Sequence, residues 1–143
     1  MQLDTQTFLR LVENNKSLAF WDIESTGREA DYDSILVISV KPYKAKARTF
    51  SVTQVGNESR IVKEARDYLN TFDCLGTYYG KGFDQLFLNT RLLRHKAKPL
   101  NLIPHIDMYF QLRGKTLMGR RSMAHYAEFL RLQTQKMSVS PSV

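Results

Sequence analysis

The chain has little cysteine and no long apolar run. Of its 143 residues only Cys74 carries a thiol, so no disulfide can close within the chain and no Cys-x-x-Cys pair can seat zinc. Its neighbours, Asp73 and Leu75, complete no ligand spacing, and Cys74 reads as a buried structural thiol. A single cysteine suits a reducing compartment. No apolar stretch approaches the roughly 20 residues that a bilayer-spanning helix needs. The opening residues, MQLDTQTFLRLVENNK, are interrupted by Asp4, Arg10 and Glu13, which excludes a secretory signal. The expected location is the cytoplasm. Also missing are a phosphate-binding loop, zinc-ligand spacing, and a Ser–His–Asp order with elbow glycines.

What is present has an ordinary globular balance, 43% hydrophobic and 24% charged. One domain over residues 1–136 is expected, with 137–143 as an unstructured or truncated tail. The formal net charge is +7 and the isoelectric point about 9.6. A basic surface gathers polyanions. Excess lysine also serves solubility, so charge points to nucleic acid only in agreement with motifs.

Hydrophobic spacing predicts a helix over 5–13, with Phe8, Leu9 and Val12 on one face and Asp4 or Thr5 as cap. SLAFWDI (17–23) reads as a strand buried on both faces, followed by a polar loop, STGREADYDS. SILVISV (34–40) and RTFSVT (48–53) continue as antiparallel strands on short connections. Asn57 is the expected N-cap of a helix over 58–72. Residues 74–79 form a fourth strand, broken by Gly80, Lys81 and Gly82. A helix over 83–95, a strand over 105–110 and a helix capped by Ser122 complete the order. Three antiparallel strands followed by helix–strand crossovers make a mixed sheet flanked by helices.

Asp22 and Glu24 are the sharpest chemical feature. Residues i and i+2 of a strand share a face, so both carboxylates can point at one spot. Two like charges beside an apolar strand are costly. A divalent cation removes that cost, and hard oxygen ligands suit Mg²⁺ or Mn²⁺; solvation at a strand end is the plainer alternative. Asp84, in TYYGKGFDQLFLNTRLL, stands where a helix begins, a favourable place for a carboxylate worth roughly 0.3–1 kcal/mol in its own right. If the first and fourth strands are neighbours, Asp84 faces Asp22 and Glu24. Asp107 in HIDMYF is an accessory candidate, although a structural hydrogen bond suits it and His105 better. His95 and His125 are candidate bases for which structural roles are the simpler assignment. RHKAK (94–98), Arg113, Lys115, Arg120 and Arg121 are candidate phosphate contacts, and Tyr78, Tyr79 and Phe83 candidate stacking surfaces.

WDIESTG resembles the first motif of the DEDD superfamily of 3′–5′ exonucleases, Asp-x-Glu at the end of the first strand. YYGKGFDQLFLNTRL resembles the second motif in its family-B-polymerase-like form, roughly Asn-Gly-x-x-Phe-Asp, and HIDMYF the strand that follows. The resemblance spans about residues 17–136. It implies a ribonuclease-H-like α/β fold with a mixed five-stranded sheet. It implies Asp22, Glu24 and Asp84 as catalytic carboxylates holding two Mg²⁺ or Mn²⁺ ions, and stepwise hydrolysis of DNA or RNA from single-stranded 3′ ends. Thr26 and Phe83 would border the terminal nucleotide, with Tyr79, Lys81 and Arg91 as further nucleic-acid contacts. Two departures stand out. Tyr79 occupies the position of the usual Asn. The family's third motif, a Tyr or His followed by Asp on a later helix, has no counterpart, since no carboxylate follows Glu128. A truncated domain, or one completed by another chain and impaired alone, is therefore expected. The competing readings are a nucleic-acid-binding module without catalysis and a ribonuclease-H-like endonuclease.

Overall fold

β1 (Leu18–Ser25) is the hub of the sheet, and its alternation explains the layers on either side of it. In the computed structural model, which describes residues 5–14, 17–80 and 82–133, Ala19, Trp21 and Ile23 of β1 enter the main core. Leu18 and Phe20 join a smaller cluster with Cys74, Ile106 and Met108. β1 pairs antiparallel with β2 (Ile35–Pro42) and parallel with β4 (Cys74–Thr77). β3 (Arg48–Ser51) closes one side and β5 (His105–Asp107) the other, giving the order β3-β2-β1-β4-β5. This is the five-stranded mixed sheet expected from the sequence.

α1 (Thr5–Glu13) precedes the sheet. α2 (Ser59–Leu69) buries Ile61, Val62, Ala65 and Leu69, and α3 (Asp84–Arg94) buries Phe87, Leu88 and Leu92 against the main core. These are the apolar positions of two amphipathic helices crossing one face of the sheet. Cys74 is buried, and burial foremost, with Asp73 beside it, pushes its thiol from 9.0 up to about 11. Gly76 is needed in β4 because a β-carbon there would run into the Phe20 ring.

Two local expectations are corrected. Glu58, not Asn57, holds the cap position of α2, and no side chain caps that helix. The strand expected over 105–110 stops at Asp107, whose side chain accepts the Tyr109 N–H at 3.1 Å and starts α4 (Met108–Arg113). An Asp able to cap switches the chain to helix despite the β-prone residues after it. Ser122 caps α5 (Met123–Phe129) as expected, accepting from His125 N. The capping roles of Asp4 and Thr5, the packing of Phe8 and Val12, the Lys81 contact and the tail over 137–143 lie outside the described residues.

Candidate active site

β1 runs on past its last β4 partner, the pair Phe20↔Gly76. Ile23, beyond that point, needs another acceptor for its N–H. Asp84 supplies it: Asp84 Oδ2 accepts from Ile23 N at 3.1 Å. Asp84 is the first residue of α3 and is buried, so the positive end of the helix supports its charge. Gly80 makes the approach feasible, because a β-carbon there would collide with the Thr77 side chain; its carbonyl accepts Gln85 N–H at 2.7 Å.

Asp22 and Glu24 flank Ile23 and are half-buried on the face of β1 away from Trp21 and Ile23. A register shift between Glu24 and Ser25 marks an irregularity in the β1–β2 ladder, the kind of feature that re-aims side chains. Asp22 borders a groove of about 1030 Å³, lined also by Phe20, Lys41, Thr77, Tyr126 and Leu130. β1 thus carries two candidate carboxylates near its end, and α3 sets the third, Asp84, against the backbone between them. Their oxygen donors fit a hard divalent cation. Yet among the described residues no three His, Cys, Asp or Glu side chains are gathered closely enough to hold a metal ion.

The remaining sequence candidates separate. Thr26 is exposed, but its hydroxyl is engaged in the following loop, donating to Asp33 Oδ1 and accepting from Ser34 N, each at 3.1 Å. Phe83 is half-buried and packs on Phe87 at 5.4 Å. Tyr79 is 46% exposed and sits at φ 62°, in the left-handed region where Asn is enriched and a bulky residue is uncommon. An Asn at position 79 would adopt this backbone with less strain than Tyr. Here Asp107 Oδ1 holds the Tyr79 N–H at 2.7 Å. Asp107, an accessory candidate for which a structural hydrogen bond was the better-suited role, is fully buried and acts as cap and clamp to two backbone N–H groups. His105 bonds Thr77 Oγ1 at 2.6 Å, the structural role anticipated for it.

Arg91, expected at the nucleic-acid surface, is buried instead. Its Nε donates to Glu58 Oε1 at 2.6 Å and its Nη1 to the Ala30 carbonyl at 2.9 Å. His95 Nε2 lies 3.1 Å from the same Glu58 oxygen, so it is not placed as a base at the carboxylates. Glu58, fully buried, also accepts Ile35 N–H at 2.6 Å. This joint ties the loop after β1 to α2 and α3. No spacing in the sequence marked Glu58; its one signal was an acidic residue at a helix start. RHKAK begins at Arg94, the last residue of α3, about 15 Å along the helix from Asp84 at 1.5 Å per residue.

A family model described as RNase_H superfamily matches residues 19–142. The chain belongs to the ribonuclease H superfamily. Among solved structures, a family B DNA polymerase from the hyperthermophilic archaeon Pyrobaculum calidifontis is similar over 80% of this chain and 18% of its own, with TM-score 0.69 and 16% identity. A product-bound exonuclease I covers 79% of this chain and 38% of its own, with TM-score 0.66 and 12% identity. A zinc-bound complex of Escherichia coli exonuclease I with single-stranded DNA covers 80% and 35%, with TM-score 0.66 and 12% identity. The chain thus spans well under half the length of these structures, which share its fold. No curated protein is a significant match.

Proposed function

We propose that this domain is a metal-dependent nuclease that removes nucleotides from 3′ ends, with Asp22, Glu24 and Asp84 at its centre. The observation that carries the reading is the Asp84–Ile23 hydrogen bond, which sets the second motif's carboxylate against the backbone between the first motif's two. The superfamily membership and the exonuclease I likeness agree with it. A divalent cation held by these carboxylates would supply an activated water and neutralise charge on the phosphate. The chain's own part is to place the donors, to admit a strand along the groove at Asp22, and to draw phosphates with its excess positive charge.

The test uses oligonucleotides labelled at the 5′ or the 3′ end, incubated with Mn²⁺ and either the wild type or Asp22→Asn. Stepwise shortening of the 5′-labelled strand is expected, slow for this chain because no carboxylate follows Glu128, and absent for the variant. Internal fragments at the outset would indicate an endonuclease. Equal Mn²⁺ binding by both proteins in calorimetry, with no digestion, would favour a binding module without catalysis. The lack of a three-ligand cluster among the described residues is what keeps that second reading in view.

A further inference from the structure

We propose that Tyr79, Tyr109 and Phe110, together with the basic segment after them, form a stacking platform for single-stranded nucleic acid at the mouth of the groove; the choice of occupant rests on the nuclease reading. The rings form one cluster. Tyr79 lies 4.8 Å from Tyr109 and 5.6 Å from Phe110, and Tyr109 lies 5.1 Å from Phe110. Core packing does not consume them, for Tyr79 is 46% exposed and the other two are partly so. Asp107 fixes their presentation, clamping Tyr79 N with one oxygen and capping the helix that carries Tyr109 and Phe110. The cluster is continuous with the groove, because Tyr78 lines the groove and packs edge-on against Tyr109 at 5.8 Å.

Charge points to the same occupant. From Met108 to Ala127 the chain has four cations, Arg113, Lys115, Arg120 and Arg121, and no carboxylate. Arg113 follows Tyr109 by four residues on α4, and so shares its face. The Tyr78 hydroxyl donates to the Arg121 carbonyl, and the Thr116 hydroxyl meets the Tyr126 hydroxyl at 2.6 Å, which pins the basic segment beside the rings. Arg113, Arg120 and Arg121 have no carboxylate partner among the described residues. Ring faces beside unneutralised cations match unpaired bases on a phosphate backbone; the bases of a duplex are stacked inside it and cannot reach the rings.

The experiment measures fluorescence anisotropy of a labelled oligothymidine and of a duplex of equal length, without divalent cation so that nothing is cut. Tyr109→Leu with Phe110→Leu should weaken single-strand binding about tenfold or more and leave duplex binding unchanged, while Tyr109→Phe retains wild-type affinity. Equal losses on both ligands, or no loss on the single strand, overturn the platform. If the double variant fails to fold, exposed Arg113→Ala with Arg120→Ala carries the test. The salt slope of single-strand binding should then fall by about 0.7 for each phosphate that is no longer neutralised, and an unchanged slope overturns the proposal. Cleavage by Asp22→Asn is scored separately, so a failed nuclease reading shows there and not in the anisotropy.

Discussion

Asp84 and Ile23 are joined by a hydrogen bond of 3.1 Å between a side-chain oxygen and a backbone N–H, across 61 residues of sequence. The bond makes Asp84 a structural acceptor as well as a candidate ligand, and the two roles can be pulled apart. Asp84→Asn keeps an acceptor and should leave Tm close to wild type while removing the charge. Asp84→Ala leaves a buried N–H unmade and should cost about 1–3 kcal/mol. Chemical denaturation of both variants checks this; equal stability would show that the hydrogen bond contributes nothing.

Arg91→Ala strands the fully buried Glu58 carboxylate. Breaking a buried pair from one side typically costs about 3–5 kcal/mol, so a large drop in Tm is expected. A drop comparable to that of an exposed pair such as Arg60–Glu64 would contradict it.

Asp107→Ala removes the cap of α4 and the clamp on Tyr79. Removing a cap costs about 0.5–2 kcal/mol, and the second N–H adds to it. Asp107→Asn should recover part of the stability, because an amide oxygen still accepts. If Asp107 were instead a metal ligand, Asp107→Ala would weaken Mn²⁺ binding with stability preserved, and paired calorimetry and melting would show it.

Cys74 provides a pH test. Its thiol is raised from 9.0 to about 11 in the folded state. The folded state therefore holds the proton more tightly, and this stabilising contribution is full below about pH 9 and is lost as pH climbs through 11. Cys74→Ala should flatten that stretch of the stability profile. At neutral pH the native thiol should resist alkylating reagents and react once denaturant is added; rapid labelling of native protein would contradict its burial.

The sheet was legible because β1 and β2 are long apolar strands and because short links force antiparallel pairing. The placement of Asp22 and Glu24 on one face of β1 was legible through strand alternation, and that of Asp84 at a helix start through the glycines before it. Hidden from the sequence were the features that depend on distant segments meeting. Arg91 looks like any surface cation on α3 until Glu58 is brought beside it from 33 residues away. HIDMYF has the composition of a strand, and only the Asp107 side chain, turning back to Tyr109 N, ends it after three residues. Tyr109 and Phe110 were hidden for the same reason, since as strand residues they would have pointed to opposite faces.

The strands that bound the sheet have a consequence for the crowded or concentrated protein. β3 holds four residues and β5 three, and Arg48 at the start of β3 lies over the Phe50 and Tyr68 rings, 4.7 Å from each centroid. Brief outer strands, one of them opened by a cation, give another chain few backbone groups to template on. Sheet-to-sheet polymerisation is thereby discouraged at both edges, β3 lying across the sheet from the surface proposed for nucleic acid and β5 leading directly into it.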